Sequence, residues 1–137
     1  MNIELQQNLY DKYPNLFSNK DKTPQESCMS FGIECDTGWY DILDTVCSTI
    51  KNREENLNNR KKYNPEYVSD FTPVTFDQIK EKFGGLRIYY SGGDDYIRGV
   101  ISMAEDISYK ICEVCGNKGQ PSKIGWIRTL CEQHKVS

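Results

Sequence analysis

The chain has 137 residues, with 17 Lys or Arg against 20 Asp or Glu and a net charge of −3 at neutral pH. That length fits one domain, or a core with a small appendage, and the negative balance argues against a general nucleic-acid binder. An apolar content of 37% supports only a modest core, so a metal staple would help to hold it. No apolar run approaches a membrane span, and the N-terminus carries no basic-then-apolar signal pattern. The expectation is a soluble protein of the cytoplasm with no membrane partner. The six Cys then read as reduced thiols or metal ligands, not as a disulfide framework.

Taken in order, Ile3 to Leu9 reads as a short helix that Pro14 ends. Asn19 to Ser27 is polar, contains Pro24 and reads as a loop. Met29 to Cys35 is a strand or an extended lead-in. Trp39 to Ile50 is an amphipathic helix, with Trp39, Ile42, Leu43, Val46, Cys47 and Ile50 at spacings of three and four. Asp36 or Thr37 caps its start, and Cys47 falls on the apolar stripe as a buried structural thiol. Asp41 and Asp44 share the opposite face, which reads as solvated. Lys51 to Asp70 reads as a fraying helix end followed by a loop around Pro65, with Arg60-Lys61-Lys62 as a solvated basic run.

Val74 to Ser91 is compatible with two structures. One is a helix capped by Thr75 and Gln78 and ended by Gly84, followed by a strand. The other, which is favoured, is a hairpin turning at Gly84-Gly85, with Phe83 opposite Leu86 and Lys82 opposite Arg87. The hairpin puts Ile79, Phe83, Leu86, Ile88 and Tyr90 on one side and Lys80, Lys82, Arg87 and Tyr89 on the other. Cations interleaved with an aromatic suit a phosphate or a stacked base. After a turn at Gly92-Gly93, Asp94 to Ile111 is a second amphipathic helix, with a stripe of Ile97, Val100, Ile101, Ala104, Ile107 and Ile111.

That helix leads into Cys112-Glu-Val-Cys115-Gly116 and, with fifteen residues between Cys115 and Cys131, Cys131-Glu-Gln-His134. Two residues between paired ligands let one tight turn aim both at a single ion, and Zn²⁺ takes four tetrahedral sulfur and nitrogen ligands. Gly116 suits the knuckle because such turns often require positive φ. Cys112, Cys115, Cys131 and His134 are therefore the predicted ligands of one Zn²⁺. A site closed by four protein ligands is structural, since catalytic zinc keeps a position open for water. Between the ligand pairs, Ile124, Trp126, Ile127 and Leu130 read as a small hairpin packed beside the metal. Residues 110–137 carry 5 Lys or Arg against 2 Glu, whereas residues 1–48 carry 3 Lys against 8 acids.

The fold class that results is α+β: a small single domain with two amphipathic helices, a short β-hairpin or sheet and a C-terminal zinc module. Residues 1–111 form the body, with 1–27 as an N-terminal extension, and residues 112–137 form the module packed on it. The module alone looks like a treble clef, with a knuckle, a hairpin and a ligand pair at a helix start. Three segments, CDTGWYDIL (35–43), KEKFGGLRIY (80–89) and the CEVCG…GWIRTLCEQH run (112–134), together resemble a family of small uncharacterised proteins encoded by bacteriophages and prophages. The resemblance covers most of residues 30–135 and implies a bacterial cytoplasm, with inhibition of a bacterial defence system as one role.

Three functional classes follow. The first is a non-enzymatic interaction protein that binds a host or phage protein through a rigid apolar patch around Trp39, Tyr40 or Tyr89, or pairs with itself as a homo-oligomer. The second binds a nucleic acid or a nucleotide signal through Lys80, Lys82, Arg87 and Tyr89, joined by Lys123 and Arg128. The third is a divalent-metal-dependent nuclease relying on Glu34, Asp36, Asp41, Asp44 or Glu81. The third is the weakest, because the one His of the chain is already a metal ligand.

Overall fold

A computed structural model describes residues 1–135. Three helices and a mixed three-stranded sheet form the body: α1 (Ile3–Lys12), β1 (Ile33–Glu34), α2 (Tyr40–Tyr63), β2 (Thr72–Lys82), β3 (Gly85–Gly93) and α3 (Asp95–Ser108). Short 3₁₀ turns at Ser18–Asp21, Cys28–Phe31 and Thr37–Trp39 link the early elements. Two two-residue strands, β4 (Gln120–Pro121) and β5 (Thr129–Leu130), pair beside the Cys/His segment. Among the described residues no helix is long and apolar enough to cross a membrane.

The sheet has the order β1-β2-β3, with β1 parallel to β2 and β3 antiparallel to it. The hairpin is therefore formed, and no helix occupies residues 75–83. Its turn falls one residue earlier than expected. Lys82 pairs with Gly85, Lys80 with Arg87 and Glu81 with Leu86, leaving Phe83-Gly84 as a two-residue loop with φ of 52° and 85°. Two positive φ values define the turn whose twist matches that of the flanking strands. Gly85 cannot take a side chain without meeting the Tyr109 ring, which keeps it in the strand. Phe83 consequently leaves the apolar side and stands exposed at the tip.

One apolar cluster fills the body. Leu43, Val46, Cys47 and Ile50 from α2 meet Val74, Phe76 and Ile79 from β2, Leu86 and Ile88 from β3, and Ile97, Ile101 and Ala104 from α3. Residues 1–27, expected as an extension, contribute Leu9, Tyr10, Tyr13, Leu16 and Phe17 to the same cluster. Phe17 bridges Tyr10 and Phe76, each ring centroid 5.0 Å away in a tilted arrangement.

Helix α2 runs thirteen residues beyond Ile50, so the expected frayed end is ordered helix. Leu57 extends the buried stripe seven residues past Ile50, and Arg53 pairs with Asp94 at 3.0 Å. Asp94 also caps α3 by accepting from Ile97 N, so one carboxylate fastens the start of α3 to the middle of α2. Helix α3 stops at Ser108, three residues short of the expected end. It lies along β3, where Ser108 Oγ accepts from Leu86 N at 2.9 Å and Glu105 accepts from Ile88 N at 2.9 Å. On the far side of the hairpin, Phe76 N donates to Leu16 O and Asn19 Nδ2 donates to Phe76 O.

Candidate metal centre

Cys112, Cys115, Cys131 and His134 bring one ligand atom each to within 4.8 Å of all the others. Cys115 and Cys131 sulfurs are 3.7 Å apart, and His134 Nδ1 lies 3.2 Å from Cys131 Sγ and 3.7 Å from Cys112 Sγ. A tetrahedron with metal–sulfur bonds of about 2.3 Å has edges of about 3.8 Å, so the four atoms fit such an ion. The sulfurs are far too separated for a disulfide, and all six cysteines are free.

The knuckle forms as the sequence implies. Gly116 takes φ of 81° and donates to Cys112 O at 2.9 Å. Burial pushes the Cys112 thiol up, but backbone N–H groups of Cys115, Cys131 and Val114 outweigh it and draw the thiol down to about 6. Burial likewise pushes Cys131 up, and its hydrogen bonds with His134 turn the net direction downward. Both effects favour thiolate, the form that binds metal. The second ligand pair opens a single helical turn, in which Lys135 N donates to Cys131 O at 2.9 Å. The expected boundary of the module extends to residue 137, and its last two residues lie outside the described part.

A residue absent from the sequence-based expectations ties the module to the body. Glu113, only 5% exposed, sits inside the knuckle. Its Oε2 accepts from Asp36 N at 3.0 Å and its Oε1 from Arg128 at 3.3 Å. Its own N–H donates to Thr129 O at 3.0 Å, and its carbonyl accepts from Gly38 N at 2.6 Å. Thr129, fully buried, donates from Oγ1 to Gly84 O at 2.6 Å, which docks the β2–β3 tip onto the module. The signal available in sequence was an acid between two candidate ligand cysteines, with an Arg three residues before the second ligand pair.

The other predicted residues divide. Trp39 is fully buried and donates from Nε1 to Ile111 O at 2.9 Å, so it belongs to the core and cannot anchor a partner. Tyr40 is half-buried, and its hydroxyl is held by Asn8. Lys80, Lys82, Arg87 and Tyr89 do share the outer side of the hairpin, since pairs two apart keep one face. Arg87 is engaged with Tyr109 at 2.8 Å. Lys123 and Arg128 lie on the metal module, where Arg128 is held by Glu113. The carboxylates are dispersed in structural contacts: Asp44 with Lys12 and Tyr13, Asp36 with Thr37 N, Glu81 with Gly84 N. Asp41 lines a groove between α2 and α3, and Glu34 pairs across from Lys80.

Trp126 and Ile124 depart most from expectation. They were expected beside the metal, but they are 81% and 90% exposed. Leu130, Cys112, Cys131 and Val114 already fill the module's interior, and the 122–128 loop between β4 and β5 carries Ile124 and Trp126 outward.

The fold and the site define an α+β domain carrying a C-terminal Cys₃His metal-binding module. No protein-family model, curated protein or solved structure matches the chain.

Proposed function

We propose that the protein is a non-enzymatic, zinc-stapled interaction protein whose metal module presents a fixed surface to a protein partner. The observation that carries this reading is the convergence of Cys112, Cys115, Cys131 and His134, four protein ligands on one site. Three thiolates and an imidazole in a tetrahedral set favour Zn²⁺ over hard cations. Zn²⁺ there would supply folding energy, not a reactive water. The resemblance to phage and prophage proteins supports a bacterial cytoplasmic setting, a host or phage protein as partner and inhibition of a defence system as the role.

The test is a tagged pulldown from bacterial lysate, with and without nuclease, with metal measured on the same sample. A stoichiometric protein that survives nuclease, with about one Zn²⁺ per chain, is the expected result. Recovery of nucleic acid alone would favour the second reading, binding through Lys80, Lys82, Arg87 and Tyr89, which share one side of the hairpin. That reading requires steep salt dependence, and it fails if Lys82→Ala with Arg87→Ala leaves binding unchanged.

A further inference from the structure

We propose that the two clefts flanking Trp126 form a docking surface for an acidic protein segment bearing an apolar anchor side chain. The inference rests on the interaction reading above and adds the surface and the partner's chemistry. One cleft, of 450 Å³, lies between the β2–β3 tip and the module and is lined by Phe83, Trp126 and Ile127. The other, of 530 Å³, runs along the opposite side of the loop and includes Ile124 and Trp126. Phe83, Ile124 and Trp126 are each exposed over more than two thirds of their surface, and Trp is among the residue types most enriched at binding hot spots.

Phe83 adds an independent argument. It occupies the first central position of a turn with φ of 52°. Asn, Asp or Gly suit that position, and a bulky side chain there is strained. A strained aromatic left exposed at the tip is the kind of outlier that clusters at ligand clamps, which supports a binding role for the Phe83 ring.

Charge selects the occupant. Lys82 lines one cleft and Lys123 the other, and neither has an ion-pair partner among the described residues; of the acids in the same clefts, Glu81 accepts from Gly84 N and Glu132 is paired with Lys135. Arg128 is committed to Glu113 and Lys135 to Glu132. Two available ammonium groups, one in each cleft, complement carboxylates on either side of a central apolar side chain. A single-stranded nucleic acid would call for a longer track of free cations. Trp126 and Phe83 offer rings on which a base can stack, so the oligothymidylate arm of the test below separates that occupant, while Ile124 and Ile127 add an apolar wall that fits an aliphatic or aromatic anchor.

The experiment is selection of displayed random peptides against the full chain loaded with Zn²⁺, with oligothymidylate and anionic phosphatidylglycerol vesicles as parallel probes. Enriched peptides should carry two or more acids around Leu, Ile, Phe or Trp. Their affinity should fall about tenfold or more in Trp126→Ala and in the Lys82→Glu, Lys123→Glu double variant, while Arg87→Ala binds normally. Circular dichroism and metal content verify that each variant is folded. No enrichment, enrichment of neutral or basic peptides, or Trp126-dependent binding of oligothymidylate or vesicles overturns the proposal. Acidic peptides that still bind Trp126→Ala overturn this surface while leaving the interaction reading intact; loss of the interaction reading would show separately, as a pulldown that yields no protein.

Discussion

Gly38 N donates to Glu113 O across 2.6 Å, and a Cβ on Gly38 would run into the carbonyls of Cys112 and Glu113. The body thus meets the metal knuckle backbone against backbone, at a position that admits no side chain. Gly38→Ala should destabilise the fold by about 1–3 kcal/mol, the range for overpacking a tight contact. It should also weaken metal retention, because the knuckle must move. Urea denaturation with metal analysis on the same samples checks both, and an unchanged midpoint would refute the contact's importance.

Glu113 and Arg128 should behave as a coupled pair. Arg128→Ala leaves a buried carboxylate oxygen without its cation and should cost about 1–3 kcal/mol. Glu113→Leu with Arg128→Ala should cost less than the two single changes added, because removing both partners leaves no stranded charge. Strict additivity in a double-mutant cycle would mean that the 3.3 Å pair contributes nothing of its own.

Stripping the metal should loosen one side of the molecule first. A chelator, or Cys115→Ser, should lower the thermal midpoint and speed amide exchange at Gly38, whose hydrogen bond ends on the knuckle. Leu86 and Ile88 should remain protected longer, since their N–H groups bond to α3. Equal acceleration at all three positions would instead indicate a single cooperative unit.

Phe83→Asn should stabilise the protein by about 0.5–1 kcal/mol, by placing a residue that tolerates positive φ in the turn. Thermal denaturation measures this directly. A loss of stability would mean that the exposed Phe83 ring holds the tip through contacts worth more than the strain.

Acid should weaken the α1–α2 contact. Burial pushes the Asp44 carboxyl up, but hydrogen bonds from Lys12 Nζ at 2.7 Å and Tyr13 OH at 2.8 Å outweigh it and hold it below the ordinary 3.8. A depressed value in the fold means that the stabilisation is complete above 3.8 and is lost as pH falls through that value toward the folded one. The stability gap between wild type and Asp44→Asn should therefore shrink as pH drops below that point. A gap that stays constant with pH would rule out the carboxylate as its source. The exposure of Lys12 and Asp44 keeps the effect small.

The cluster of Cys112, Cys115, Cys131 and His134 was legible because its geometry depends on local spacing: two residues within each pair, a glycine after the second cysteine. The faces of the hairpin were legible as well, although its turn was placed one residue late. Moving the turn by one residue shifts cross-strand partners by two, which preserves the side of every strand residue and relocates only Phe83. The continuation of α2 was weakly encoded, because Leu57 alone carries the apolar stripe through a polar stretch. Trp39, expected both on the apolar stripe and at a partner patch, is wholly buried, and Trp126, expected beside the metal, is exposed. The local pattern put Trp39 on the apolar stripe, but nothing in it states that the ring fits beneath the knuckle against Ile111 O, or that the loop carrying Trp126 stays exposed. Glu113 was missed for the same reason, since its partners Asp36 and Arg128 lie far from it in the chain.

The edge of β3 has a further consequence for how anything can bind. Ser108 and Glu105 already accept from Leu86 N and Ile88 N, the groups that an added strand would use. An incoming segment could not extend the sheet there without first displacing α3 from both bonds. Recognition along that side has to be read through side chains, and the same arrangement protects a Val-, Ile- and Tyr-bearing hairpin from stacking edge to edge with its own copies at high concentration.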